Sequence, residues 1–140
     1  MRCGFLALTI GCLVIATRPG AAEGALAIAL PKDVVKDGFA YGSAYTFATS
    51  GEAQAKALQR CRETKSNVRR KLCKIVDIFH DQCVAVAMDP ADGTPGVGWA
   101  IAGNMRGAER VALEKCEATA GPGRRAACKV HSSGCDGAAK

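Results

Sequence analysis

The sequence predicts an α+β fold: a small disulfide-bonded domain with an antiparallel sheet and two helices, built from two similar halves. Its 140 residues, of which 49% are hydrophobic and 23% charged, suit a single globular domain. Alanine-rich segments with helical spacing alternate with short apolar segments typical of strands, which indicates the α+β class. The same pattern of alanines and cysteines occurs twice along the chain, which indicates the two halves.

The start of the chain has the layout of a secretory signal peptide. Arg2 is followed by the uncharged run Cys3–Ala16, and small residues precede Glu23. The run is 14 residues long, whereas a helix needs about 20 residues to cross a bilayer. We therefore predict a signal peptide over residues 1–22 and a single exported domain over residues 23–140, periplasmic or secreted, without a stable transmembrane anchor. A retained anchor or a lipidated cysteine is the alternative.

The first half contains two predicted strands and one helix. The apolar run Ala25–Leu30 predicts the first strand. Aromatic and small residues alternate over Phe39–Phe47, which predicts a second strand with its four aromatic side chains on the packed side of the sheet. Thr49 and Glu52 form a capping-box pattern ahead of alanines at helical spacing, so a helix is predicted over Ser50–Arg62.

The rest of the chain continues this alternation. Apolar runs predict three more strands at Lys74–Phe79, Val84–Met88 and Val97–Ala102. Asp89–Gly93 has the composition of a turn. Trp99 is assigned to the core, where neighbouring glycines permit close packing around its ring. Asn104 is a good N-cap for a second helix, which is predicted to end near Cys116 or Glu117.

An internal duplication relates the two helical regions. A shift of 55 residues aligns nine identical residues among 22 positions, beginning at Ala53 and Ala108. Two copies of a long repeat indicate one domain made of two halves rather than an open solenoid, which generally needs three or more units. The pseudo-repeats are predicted at about residues 39–88 and 94–135.

Six cysteines follow the predicted signal peptide. An even number in an exported chain favours disulfides, because the compartment is oxidising. Among the 15 pairings that six cysteines allow, the duplication favours the symmetric one: Cys61 with Cys73, Cys116 with Cys128, and Cys83 with Cys135. The last pair consists of the two cysteines that are left over, so its pairing stays open at this point.

Five short segments carry a family pattern. They are the alanine-rich helix at 53–61, the strand segments at 73–76 and 83–87, the glycine and tryptophan segment at 96–100, and the segment at 128–130. Over residues 24–135 the chain resembles the bacterial family catalogued as domain of unknown function 4189. The resemblance implies an exported domain with a paired-half layout. It implies no chemistry, because that family has no assigned function.

The sequence offers little for catalysis or metal binding. No CxxC pair occurs, whereas structural zinc sites typically use closely spaced ligand pairs, so no metal or cofactor is predicted. His80 is the plausible general base, but strand alternation places it on the side opposite Asp77. His131 is placed in a loop, ahead of two serines. We therefore predict no catalytic residue.

Basic residues cluster between positions 56 and 74, where eight cations accompany one anion. The candidate partner-binding residues there and in the equivalent loop of the second half are Arg62, Arg69, Arg70, Lys71, Arg124 and Arg125. Such a patch attracts an acidic protein or an anionic envelope ligand. Nucleic acid is not expected, because no aromatic side chains are interleaved with the cations to stack on bases.

These observations predict an exported, non-enzymatic interaction module that presents basic loops to an acidic partner, in the manner of an inhibitor or immunity protein. Two alternatives stay open. One is a small cell-envelope hydrolase that uses His80, and the other is a purely structural component of the envelope.

Overall fold

The computed structural model describes residues 22–140, so all but the last residue of the predicted signal peptide lies outside the described residues. The α+β class is confirmed. The strands are β1 (Glu23–Ala29), β2 (Ala40–Phe47), β3 (Lys74–His80), β4 (Cys83–Met88), β5 (Val97–Ala102) and β6 (Lys129–Cys135). The helices are α1 (Val34–Asp37), α2 (Ser50–Arg62), α3 (Asn67–Leu72) and α4 (Met105–Ala120), with a 3₁₀ turn at Arg125–Ala127.

The predicted strands divide between two antiparallel sheets of three strands each. The strand order is β2-β1-β3 in the first sheet and β5-β4-β6 in the second. Helix α2 packs on the outer face of the first sheet and α4 on the outer face of the second. The inner faces pack against each other through larger side chains such as Leu26, Phe79 and Val86. The domain therefore has four layers, in the order helix, sheet, sheet, helix.

Strand pairing places the division between the halves after His80. The next strand, β4, is the central strand of the second sheet and pairs with no strand of the first. The sequence alignment instead assigned β4 to the first repeat. The physical reason is a difference in loop length. Ala27 pairs with Gly42 in the first sheet and Ala87 with Gly98 in the second, so the connection between the paired strands is four residues longer in the first half. A single shift of 55 residues therefore aligns the helices α2 and α4 but not β1 with β4, and the bulge in β2 puts β2 and β5 out of register by one residue.

Each long helix lies directly on a glycine of the neighbouring strand. A side chain at Gly42 would overlap the backbone of α2 at Ala57 and Cys61, and one at Gly98 would overlap α4 at the equivalent Ala112 and Cys116. The alanines on these helix faces are fully buried. The alanine-rich sequence of both helices is therefore explained by a close approach that larger side chains would prevent.

The helix ends follow from local and tertiary contacts. Helix α2 has the predicted limits, and the Thr49 hydroxyl accepts a hydrogen bond from the backbone N–H of Glu52. Asn104 caps α4 in the same way. Helix α4 continues one turn beyond its predicted end, because Thr119 Oγ1 bonds to the backbone of β5 and Ala120 is buried against the sheet.

The three disulfides are the pairs of the symmetric prediction: Cys61–Cys73, Cys116–Cys128 and Cys83–Cys135. The first two bonds each tie a long helix to the residue that precedes the third strand of its own sheet. The third joins directly opposed residues of β4 and β6. It therefore lies within the second sheet and does not connect the two sheets.

A bulge in β2 separates its aromatic side chains. The pairing with β1 shifts between Glu23 and Ala25, and Thr46 has a φ of 67°. The extra residue reverses the side on which the next side chain lies. Phe47 therefore packs in the cluster beneath α2, whereas the other three aromatic residues of the segment lie between the sheets. The prediction that all four share one side was wrong for Phe47.

We expect Gly98→Ala to lower the free energy of unfolding by about 1–3 kcal/mol, the usual cost of overpacking a tight contact. The added Cβ would overlap the backbone of α4. Equilibrium unfolding in urea, followed by circular dichroism, measures the effect. Gly103→Ala is the matched control, because the space around that residue is open. Equal stability of Gly98→Ala and wild type would contradict the close approach.

Candidate functional site

The segment between Cys61 and Cys73 is a disulfide-closed loop, which we call the basic loop (residues 62–72). Its closing cysteines have Cα atoms 5.9 Å apart, so its cations are confined to one corner of the molecule. Part of the predicted loop is helical: Ser66 caps α3 by accepting a hydrogen bond from the backbone N–H of Arg69. The side chains of Arg62, Arg70 and Lys71 are exposed, so three of the predicted partner-binding residues face solvent together.

Arg69 is engaged inside the protein. Its Nη1 donates to the carbonyl of Phe39, 3.0 Å away, at the residue before β2. Its Nε is buried without a hydrogen-bond partner among the described residues. The side chain therefore fixes α3 against the start of β2, and little of its charge is available to a partner.

Arg124, the equivalent residue of the second half, is also engaged. Its Nε and Nη2 donate to the two carboxylate oxygens of Asp89, at 2.6 and 2.7 Å. The Asp89 side chain has no exposed surface, and it also accepts a hydrogen bond from the backbone N–H of Ala91. These bonds, above all those from Arg124, lower the pKa of Asp89 from 3.8 to about 2. The Arg124 side chain is 46% exposed, and Arg125 is exposed as well but forms no ion pair within residues 22–140.

His80 lies at the end of β3 and pairs with Asp81 rather than Asp77. Its Nε2 is 3.1 Å from Asp81 Oδ2, and its Nδ1 donates to the carbonyl of Ala22, 2.6 Å away. The bond to that carbonyl, followed by the neighbouring carboxylates, raises the pKa of His80. The His80 and Asp81 side chains are 47% and 51% exposed. The geometry is that of an exposed contact between an imidazole and a carboxylate at the edge of a sheet.

His131 belongs to β6, so its predicted place in a loop was wrong. The polar residues Ser132 and Ser133 also lie in this strand, because backbone pairing with Val86 and Ala85 of β4 fixes them there. His131 Nδ1 is 2.6 Å from the hydroxyl of Tyr41 in β2. Burial raises the pKa of Tyr41. This contact joins the two sheets, and His131 itself is exposed to solvent.

The structure also contains an apolar groove of about 820 Å³ that the sequence analysis missed. It lies between residues 30–35 on one side and β5 with α4 on the other, and Trp99 is part of its wall. The available signal was the apolar character of Leu30, Val34 and Val35 in a segment between two predicted strands. Sequence alone did not show that these side chains face a tryptophan from the other half.

The part of the chain from 22 to 140 holds no cluster of three or more histidine, cysteine, aspartate or glutamate residues arranged to bind a metal ion. All six of its cysteines form disulfides. None of the helices within this range combines the length and the apolar character needed to cross a membrane.

We expect Arg124→Gln to lower the melting temperature at pH 7, because it leaves the buried Asp89 carboxylate without its cation. The pKa of Asp89 is lower in the folded protein, so the pair stabilises the fold above pH 3.8 and this contribution is lost as the pH falls towards about 2. The difference from wild type should therefore shrink over that range in thermal melts.

Arg125→Gln is the control for this experiment, because the neighbouring arginine is exposed and forms none of the ion pairs found in residues 22–140. It should melt like wild type at every pH. A melting temperature of Arg124→Gln equal to that of Arg125→Gln at pH 7 would contradict a stabilising role for the Asp89–Arg124 pair.

Comparison with known proteins identifies the family. The family described as "Domain of unknown function (DUF4189)" matches residues 24–135. No curated protein and no solved structure matches the chain significantly. The matched range begins in β1 and ends at the last residue of β6, so it includes both sheets and all three disulfides. The chain therefore belongs to the DUF4189 family.

Proposed function

We propose that this protein is an exported interaction module whose basic loop binds an acidic protein or an anionic ligand of the cell envelope. The observation that carries the proposal is the confinement of exposed cations by the Cys61–Cys73 bond. None of the four ion pairs found in residues 22–140 involves a residue of this loop. Its positive charges therefore have no internal acidic partner and are available to an external one.

The basic loop is also ordered before binding. Arg69 holds α3 to Phe39, and Arg70 donates to the carbonyl of Thr64 at 3.2 Å. A partner would therefore not have to order the backbone of the loop, which reduces the entropic cost of association. Arg69 thus fixes the loop, Arg62 and Lys71 present charge, and the exposed Arg70 does both.

The equivalent loop of the second half (residues 117–127) contributes less. Arg124 is paired with buried Asp89, and Glu117 partly offsets the charge of Arg125. The proposed contact surface therefore consists of Arg62, Arg70 and Lys71, with Arg125 as its counterpart in the other half. Three disulfides and the predicted signal peptide support a location in an oxidising compartment outside the cytoplasm.

The contact between His80 and Asp81 favours the second candidate, a small envelope hydrolase. Its residues are half-exposed, and the bonds that His80 forms are to Asp81 and to the carbonyl of Ala22. No hydroxyl or thiol among the described residues is hydrogen-bonded to His80, so the pair lacks an adjacent nucleophile to activate. The interaction module is the function that the geometry supports better.

We expect the triple variant Arg62→Gln, Arg70→Gln, Lys71→Gln to bind an immobilised acidic probe, polyglutamate, at least tenfold more weakly than wild type. Three exposed cations, each contributing roughly 0.5 kcal/mol, together account for about that factor. Binding should also weaken as salt is raised, since the charges are at the surface. Surface plasmon resonance at low and high salt measures both effects.

The matched control replaces three exposed cations elsewhere, Lys36, Arg106 and Lys140, by glutamine, which changes the net charge equally. This variant should bind polyglutamate like wild type. The same two variants are then compared for capture of proteins from envelope extract. An equal loss of binding in both would show that net charge alone is responsible and would overturn the role of the basic loop.

A further inference from the structure

The segment that connects β1 to β2 exposes two large apolar side chains to solvent. Leu30 and Val35 are 48% and 50% exposed. The segment is ordered, since the Asp33 carboxylate accepts a hydrogen bond from the backbone N–H of Lys36 and caps α1. Exposed large apolar side chains that face a concave surface are a feature of binding sites. These two residues form one wall of the apolar groove.

The opposite wall comes from the second half of the chain. Val97 and Trp99 of β5 and Ala118 of α4 line it. The ring of Trp99 stacks on Phe39 with centroids 6.1 Å apart, which holds the tryptophan in position. A volume of about 820 Å³ lies within the range of small-molecule sites. The groove is therefore a formed cavity with mainly apolar walls.

The backbone edge along the groove is covered. The hydroxyl of Thr119 accepts a hydrogen bond from the backbone N–H of Val97 at 2.9 Å, and it also lies 2.9 Å from the carbonyl oxygen of Val97. Lys115 Nζ donates to the carbonyl of Trp99 at 3.0 Å. A peptide that added a strand to β5 would have to displace these bonds. The groove is therefore better suited to an apolar chain than to an extended peptide.

The lining of the groove carries a net charge of +1, from Lys32 and Lys115 against Asp33. Lys32 and Lys115 line it, and neither takes part in an ion pair with another residue of the described range. Asp33 is the acidic lining residue, and its carboxylate is turned to the cap of α1. The groove therefore offers an anionic group two cations that have no salt-bridge partner, which favours it over a cationic group.

We propose that this groove binds a single-chain anionic amphiphile, an acyl chain that ends in a carboxylate. The chain lies between Trp99 and the outward side chains of Leu30 and Val35, and the carboxylate lies by Lys32 and Lys115. Burial of the chain provides affinity in proportion to the apolar area covered. This site shares no residue with the basic loop, so its existence does not depend on the proposed function.

Trp99 is the single tryptophan of the chain, so its fluorescence reports on the groove directly. We expect dodecanoate, added below its critical micelle concentration to the disulfide-intact protein, to give a saturable blue shift. The cation dodecyltrimethylammonium, which has the same chain length, should bind at least tenfold more weakly. Lys32→Glu should reduce or reverse that preference, and Lys65→Glu, a charge reversal in the basic loop, should leave it unchanged.

A pair of matched valine variants separates the groove from general hydrophobic binding. Val35 in the groove and Val68 on α3 are 50% and 49% exposed. We expect Val35→Asp to weaken dodecanoate binding at least tenfold and Val68→Asp to leave it unchanged. Circular dichroism of both variants verifies that they fold.

Four results of the amphiphile and vesicle titrations would overturn the proposal. They are no saturable response to dodecanoate, equal responses to the anionic and cationic amphiphiles, wild-type binding by Val35→Asp, and a response to anionic phospholipid vesicles without one to dissolved dodecanoate. The last would assign the groove to a membrane surface instead. Self-association that abolishes binding at high protein concentration would likewise assign it to a second copy of the chain.

Discussion

The close approach of two helices to two glycine-containing strands is the contact on which the rest of the structure depends. Gly42 and Gly98 let the backbones of α2 and α4 touch their sheets. At that distance the buried helix face has room for alanine but not for larger side chains. The cations that follow on each helix, Arg60 and Lys115, reach over the edge strand and donate to a backbone carbonyl there. Each half is thus a helix and a sheet edge joined by the same three devices: a glycine, alanines and a long cationic side chain.

The two halves use this common frame for different purposes. Arg69 and Arg124 occupy equivalent positions, yet one binds a backbone carbonyl and the other a buried carboxylate. The loop around the first arginine is strongly basic and the loop around the second is nearly balanced in charge. The connection between β1 and β2 in the first half is longer than its counterpart between β4 and β5. That connection supplies one wall of the apolar groove, and the other half supplies the facing wall.

Rigidity is what links the scaffold to its proposed binding roles. Two disulfides fix the ends of the loops that carry surface charge, and the Asp89–Arg124 pair holds the second loop to the end of β4. Asp89 can stay ionised without exposed surface because its oxygens receive hydrogen bonds from Arg124 and Ala91. A domain built in this way presents the basic loop and the apolar groove in fixed shapes, and binding at either surface requires little reordering.

The sequence by itself determined what depends on near neighbours and on the repeat. The limits of α2 follow from the Thr49 cap and the alanine spacing, and the Cys61–Cys73 and Cys116–Cys128 pairs follow from the duplication. The tertiary structure alone decided the features that need contacts between distant segments. The bulge that places the Phe47 side chain on the α2 side of the sheet depends on the pairing of β2 with β1. The position of His131 in a strand depends on the pairing of β6 with β4 and on the contact with Tyr41. The same holds for the functional surfaces: the basic residues were visible in the sequence, but which arginines are free was not. The groove combines residues about 70 positions apart in the chain, and no local pattern encodes such a distance.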